Sequence, residues 1–132
     1  MSIKVLLADD TALMRTAIAA LLKAEPGIEL VGEAANFRET LALTETLKPD
    51  ILLLDLRMPD EREYSAQFVK SKIVNNAGCI IAISVWNDEH AIILAKSFGA
   101  SILLDKAKLV SELMPTIRQS YSNSAQSIIG GV

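Results

Sequence analysis

Short apolar runs alternate along this chain with longer stretches in which apolar residues recur every three or four positions. The first run, Ile3-Lys4-Val5-Leu6-Leu7-Ala8, reads as a strand and stops at the acidic pair Asp9-Asp10. Thr11 is placed to cap a helix whose apolar stripe is Leu13, Met14, Ala17, Ile18, Leu21 and Leu22. Pro26-Gly27 closes it, and the alternating segment Ile28 to Ala34 reads as a second strand. Asn36 can cap the next helix, with Leu41, Leu43 and Leu47 as its apolar positions, and Lys48-Pro49-Asp50 breaks it. Ile51-Leu52-Leu53-Leu54 is a near-continuous apolar run ending at Asp55, the signature of a strand covered on both faces.

The second half repeats the pattern. Residues 61–75 are predicted to be helical, on a weak apolar pattern. Cys79-Ile80-Ile81-Ala82-Ile83 is another buried strand, ending at Ser84. Asn87 or Asp88 caps a helix reaching about Phe98, and Gly99 supplies the left-handed stop. Ser101 to Leu104 forms the last strand, followed by Asp105-Lys106. The final helix is predicted from Ser111 to Tyr121, because that start puts Pro115 in the first-turn region, where an N–H would lack an intrahelical partner anyway. Residues 122–132 carry no charge and two glycines, and read as a tail or the start of a linker after a domain spanning 1–121.

Five strands and five helices in strict alternation define an α/β fold. Crossovers of this length imply parallel pairing, right-handed connections and an open doubly wound sheet. In such sheets the ligand site lies beyond the carboxyl ends of the strands.

Composition narrows the function classes. At 132 residues with 51% hydrophobic and only 5% aromatic side chains, the chain suits one α/β core better than an all-β sandwich. The net charge of −3 leaves no basic footprint for direct nucleic-acid contact or for an anionic membrane surface. The single cysteine, Cys79, cannot form an internal disulfide and fits a reducing compartment. No apolar run approaches the length of a membrane span, so a soluble, cytoplasmic domain is expected.

The chemistry lies in what ends the strands: Asp9-Asp10, Asp55, Ser84 and Asp105-Lys106. In a parallel sheet these side chains gather at one edge. Carboxylates so clustered repel one another unless a cation neutralises them, and oxygen ligands with room for water suit Mg²⁺. A carboxylate can attack phosphorus to form an aspartyl phosphate. Lys106 could pair with Asp55 at rest and with a phosphoryl group afterwards, and Ser84 could donate a hydrogen bond to a phosphoryl oxygen.

The same residues carry a family resemblance. Val5-Leu6-Leu7-Ala8-Asp9-Asp10, the segment from Pro49 to Pro59 containing Asp55-Leu56-Arg57-Met58-Pro59, Ser84, and Gly99-Ala100 leading to Asp105-Lys106 resemble response-regulator receiver domains of two-component signalling. The likeness spans about residues 3–121. The Leu56-Arg57-Met58-Pro59 wording and the Glu25–Ala34 stretch resemble receivers joined to a helix-turn-helix output domain. The resemblance implies the flavodoxin-like strand order 2-1-3-4-5, which the alternation alone does not provide. It also implies Asp55 as phosphoacceptor, with Ser84 as switch hydroxyl and Lys106 as phosphoryl-binding lysine. Mg²⁺ would be held by Asp9, Asp10, Asp55 and the backbone carbonyl of Arg57. The implied donor is a sensor histidine kinase or phosphotransfer protein, and the implied outlets are a partner, a homodimer or an output domain.

Two departures from the family pattern alter the expected readout. The segment Met58-Pro59-Asp60-Glu61-Arg62-Glu63-Tyr64 is charged and lacks the usual glycine. Leu103 stands where receivers often carry an aromatic residue. The expectation is a phosphorylation-controlled switch rather than an enzyme acting on a separate substrate. Its rivals are a receiver-fold interaction module that is never phosphorylated, a small aspartate-dependent phosphatase, and the N-terminal part of a DNA-binding regulator.

Overall fold

A computed structural model describes the backbone of residues 2–130 and the side chains of residues 2–124. The elements alternate as β1 (Ile3–Ala8), α1 (Ala12–Lys23), β2 (Ile28–Ala34), α2 (Phe37–Leu47), β3 (Ile51–Asp55), α3 (Ala66–Ile73), β4 (Cys79–Ser84), α4 (Glu89–Ser97), β5 (Ile102–Asp105) and α5 (Leu109–Gly130), with a 3₁₀ turn at Lys106–Lys108. All strand pairs are parallel and the order is β2-β1-β3-β4-β5. This is the expected doubly wound, flavodoxin-like sheet.

The strands' two-residue period divides the core in two. Val5, Leu7, Ile51, Leu53, Ile81 and Ile83 face α1 and α5, meeting Ile18, Leu22, Leu109, Leu113 and Ile117. Leu6, Ala8, Leu52, Leu54, Ile80 and Ala82 face the other way and meet Phe37, Val69, Ile73, Ala95 and Phe98 of the α2–α4 layer. Every residue of β3 is buried, as its unbroken apolar run predicts.

Helix starts follow the capping side chains. Thr11, Asn36, Ser65 and Asp88 each accept a hydrogen bond from a backbone N–H three residues on, at the heads of α1, α2, α3 and α4. Gly99, with φ +87°, ends α4 as expected. A Cβ there would lie 3.1 Å from Val74 Cγ1 and 3.2 Å from Lys70 Cγ.

The largest differences from the sequence reading are at three helix boundaries, while the last strand is displaced by one residue, to Ile102–Asp105, and the third helix ends at Ile73 instead of residue 75. The third helix starts at Ala66 instead of residue 61, because Ser65 supplies its cap and Asp60 is drawn to α2. The last helix starts at Leu109, so Pro115 is inside it rather than in its first turn. Asp105 Oδ1 accepts the Ala107 N–H at 2.9 Å and launches the 3₁₀ turn that feeds α5. Burial of Leu109, Leu113 and Ile117 on one helical face then holds this earlier start despite the proline. Finally, α5 runs past Tyr121 to Gly130, where a tail was expected over 122–132. No proline or glycine interrupts residues 122–129, and Gln119 Nε2 donates to Asn123 Oδ1 at 2.9 Å across one turn of the extension. Met1, Gly131 and Val132 lie outside the described residues.

Candidate functional site at the strand ends

The sheet register assembles the site. Ala8 pairs with Leu54, so Asp9 and Asp55 leave adjacent strands side by side. Asp55 pairs with Ile83, putting Ser84 one step further out, and Ser84 pairs with Asp105, which precedes Lys106. The direction of the strand order reverses at β1 and β3, where doubly wound sheets bind ligands.

Carboxylate oxygens of Asp9, Asp10 and Asp55 lie within 4.8 Å of one another, with Asp10 exposed and the other two buried. The Lys106 ammonium sits between Asp9 Oδ2 at 2.6 Å and Asp55 Oδ2 at 3.2 Å. Asp9 Oδ1 accepts the Thr11 N–H at 2.9 Å and the Thr11 hydroxyl at 3.1 Å. Asp9 Oδ2 is buried with no hydrogen bond of good geometry; its close approach to Lys106 is an ion pair. Asp55 Oδ1 accepts the Arg57 N–H at 3.1 Å. Ser84 Oγ accepts the Trp86 N–H at 3.0 Å, and the hydroxyl keeps its own proton to donate.

Burial raises the Asp55 carboxyl. The Lys106 charge and the Arg57 N–H oppose it, Asp9 adds to it, and the net effect pushes Asp55 up to about 6. For Lys106, burial works against the ammonium, but the Asp9 and Asp55 carboxylates outweigh it and hold the group above its ordinary value.

The donor set is three clustered hard carboxylates, so the residues present fit a small divalent cation such as Mg²⁺ better than a soft metal. Beside the cluster, Leu56, Arg57, Ser84, Trp86, Ala91 and Leu94 line a cleft of about 350 Å³. Trp86 is 66% exposed at its mouth. Leu103 is half-buried against the α2–α4 face.

All the strand-end residues singled out in the sequence therefore fall at one sheet edge, Asp105 serving there as the cap of the 3₁₀ turn. Two contributors were missed. Arg15 Nη1 donates to the Asp9 carbonyl at 2.7 Å and approaches Glu33 at 3.8 Å, steadying the acidic turn. Its place at the end of the first turn of α1, six residues after Asp9, was a readable signal. Asp60 receives two amides of α2, more than twenty residues earlier in the chain, and no local pattern announces that.

The family model described as the response regulator receiver domain matches residues 5–118, and the chain belongs to this family. It is 31% identical over 121 residues to the transcriptional regulatory protein PdtaR of Mycobacterium tuberculosis, covering 90% of this chain and 57% of that protein. It is 34% identical over 116 residues to the nitrate/nitrite response regulator protein NarL of Escherichia coli K12, covering 88% of this chain and 53% of that protein. The chain thus spans little more than half the length of these curated relatives. A chain in the crystal structure of the P1 domain of CheA3 in complex with CheY6 from R. sphaeroides superposes with a TM-score of 0.75 at 30% identity, covering 92% of this chain and 99% of that one. Among the described residues, no helix is long and apolar enough to cross a membrane.

Proposed function

We propose that this domain accepts a phosphoryl group on Asp55, in a Mg²⁺-dependent reaction, and passes the change on as altered affinity for a partner, a second copy or an output domain. The observation that carries the reading is the convergence of Asp9, Asp10, Asp55 and Lys106 at the β1/β3 switch point of a receiver fold. The donor is a phosphohistidine on a cytoplasmic sensor kinase or phosphotransfer protein. The likeness to a chain from the CheA3 P1–CheY6 complex supports that class of partner.

An Asp55 carboxylate oxygen attacks phosphorus, the P–N bond to the donor imidazole breaks, and the imidazole takes up a proton as it leaves. Asp55 must be ionised to attack. With its carboxyl at about 6, neutral pH provides that form. Asp9, Asp10, Asp55 and the Arg57 carbonyl would hold Mg²⁺, which supplies positive charge against the phosphoryl oxygens. Lys106, already 3.2 Å from Asp55 Oδ2, can follow the transferred group, and Ser84 can turn its hydroxyl proton toward it. Because Ser84 Oγ holds the Trp86 N–H, movement of the hydroxyl disturbs the β4–α4 loop directly. That coupling gives the chain a readout next to the site, with Leu103 in place of an aromatic on β5.

Incubation with acetyl phosphate followed by intact mass measurement tests the reading. One phosphoryl adduct that requires Mg²⁺ and is lost in Asp55→Asn is expected; equal labelling of that variant would sink Asp55 as acceptor.

A further inference from the structure

The first turn of α2 is capped from two sides. Asn36 Oδ1 accepts the Glu39 N–H at 2.8 Å, and Glu39 Oε1 reaches back to the Ala35 N–H at 2.7 Å. The amides of Phe37 and Arg38 go elsewhere. Phe37 N–H donates to Asp60 Oδ1 at 2.9 Å and Arg38 N–H to Asp60 Oδ2 at 3.1 Å. One carboxylate thus spans two consecutive amides at the positive end of the helix.

Asp60 is not part of a helix. It lies in the loop that follows Asp55 and carries Arg57. That loop is tied to the site at its near end by the Arg57 N–H on Asp55 Oδ1, and to α2 at its far end by Asp60. Between these anchors it is tightly turned, with the Glu61 N–H on the Met58 carbonyl at 3.1 Å and the Met58 side chain buried. The far anchor is itself fixed, since Phe37 is fully buried and its ring stacks 5.3 Å from Phe98. The Arg57–Glu61 ion pair at 3.1 Å is exposed and adds little.

We propose that Asp60 is a positioning residue for the cation site: its grip on α2 holds the β3–α3 loop, and with it the Arg57 backbone, against the carboxylate cluster. This rests on the reading of Asp9, Asp10 and Asp55 as a Mg²⁺ site. Linkage is reciprocal, so cation loading should in turn protect the Phe37 and Arg38 amides from hydrogen exchange.

The test uses the full chain and Mg²⁺ alone, with affinity read by calorimetry and exchange read at Phe37 and Arg38. Asp60→Ala removes the loop's anchor, whereas Asn36→Ala removes a cap from the same helix end without touching the loop. Both should lower the melting temperature. Only Asp60→Ala should weaken Mg²⁺ binding, by about tenfold, as for other residues that orient metal ligands, and only it should abolish Mg²⁺-induced protection of Arg38. If Asp60→Ala does not fold, Asp60→Asn, which keeps one acceptor oxygen, is read the same way. Unchanged Mg²⁺ affinity in the folded Asp60 variant, or equal weakening in Asn36→Ala, would overturn the proposal. A parent chain that binds no Mg²⁺ would instead overturn the metal reading on which it rests.

Discussion

Asp55 is nearly enclosed, beside another buried carboxylate, and shares one ammonium with it. Its folded value of about 6 exceeds the ordinary 3.8, so the native state binds the Asp55 proton more tightly than the unfolded chain does. Stability from this group is therefore complete below about pH 4 and is lost as pH rises through about 6. In metal-free buffer, Asp55→Asn should be more stable than the parent at pH 7.5, on the order of 3 kcal/mol, with the gap closing toward pH 4. Urea unfolding across that range measures it; a gap that widens toward acid would contradict the assignment. At this scale the sequence was informative about Asp9, Asp10, Asp55, Ser84 and Lys106, because each ends a strand or directly follows one. It was silent on Asp60, whose partners are set by tertiary packing, and on Lys106 lying closer to Asp9 Oδ2 than to Asp55.

Among the elements, strands were the most legible. β1 and β2 match the predicted spans residue for residue, because their apolar runs are bounded by Asp9-Asp10, Pro26-Gly27 and the Asn36 cap. Helix boundaries were read less well where a local rule competed with burial. Proline chemistry placed the start of α5 at Ser111, but the Leu109, Leu113 and Ile117 face outweighed it. Pro115 thus occupies a position where it donates no N–H and its ring crowds the Ser111 carbonyl. Pro115→Ala should raise stability by about 1–3 kcal/mol, seen as a higher denaturation midpoint with unchanged slope. A lower midpoint would mean that Pro115 makes a contact worth more than the helical bond it forgoes. The start of α3 was misplaced for the opposite reason: Glu61-Arg62-Glu63 has helix-compatible composition, but the turns around Asp60 spend that stretch on bracing α2.

For the whole molecule, alternation implied the parallel α/β class, and the resemblance supplied the strand order. That order brings β1 and β3 together and so makes Asp9 and Asp55 neighbours. A cation held at this junction would bind only the folded chain, so Mg²⁺ at ten times its Kd should stabilise the domain by about 1.4 kcal/mol. That corresponds to a melting temperature higher by roughly 3–6 °C. Asp10→Asn should reduce the shift, and EDTA in excess over Mg²⁺ should abolish it. No Mg²⁺ dependence of melting in the parent would argue against a cation site. Ile93, Ile102 and Val110, on α4, β5 and α5, are exposed.

The site that takes the phosphoryl group is the most direct test of Asp55 as acceptor. After treatment with acetyl phosphate and Mg²⁺, borohydride reduction of an acyl phosphate converts the acceptor aspartate to homoserine, which peptide sequencing by mass spectrometry can locate. The conversion is predicted at Asp55, with Asp9 and Asp10 unmodified. Homoserine at Asp9 or Asp10, or a phosphoryl group that survives on a histidine or hydroxyl residue with Asp55 intact, would contradict it.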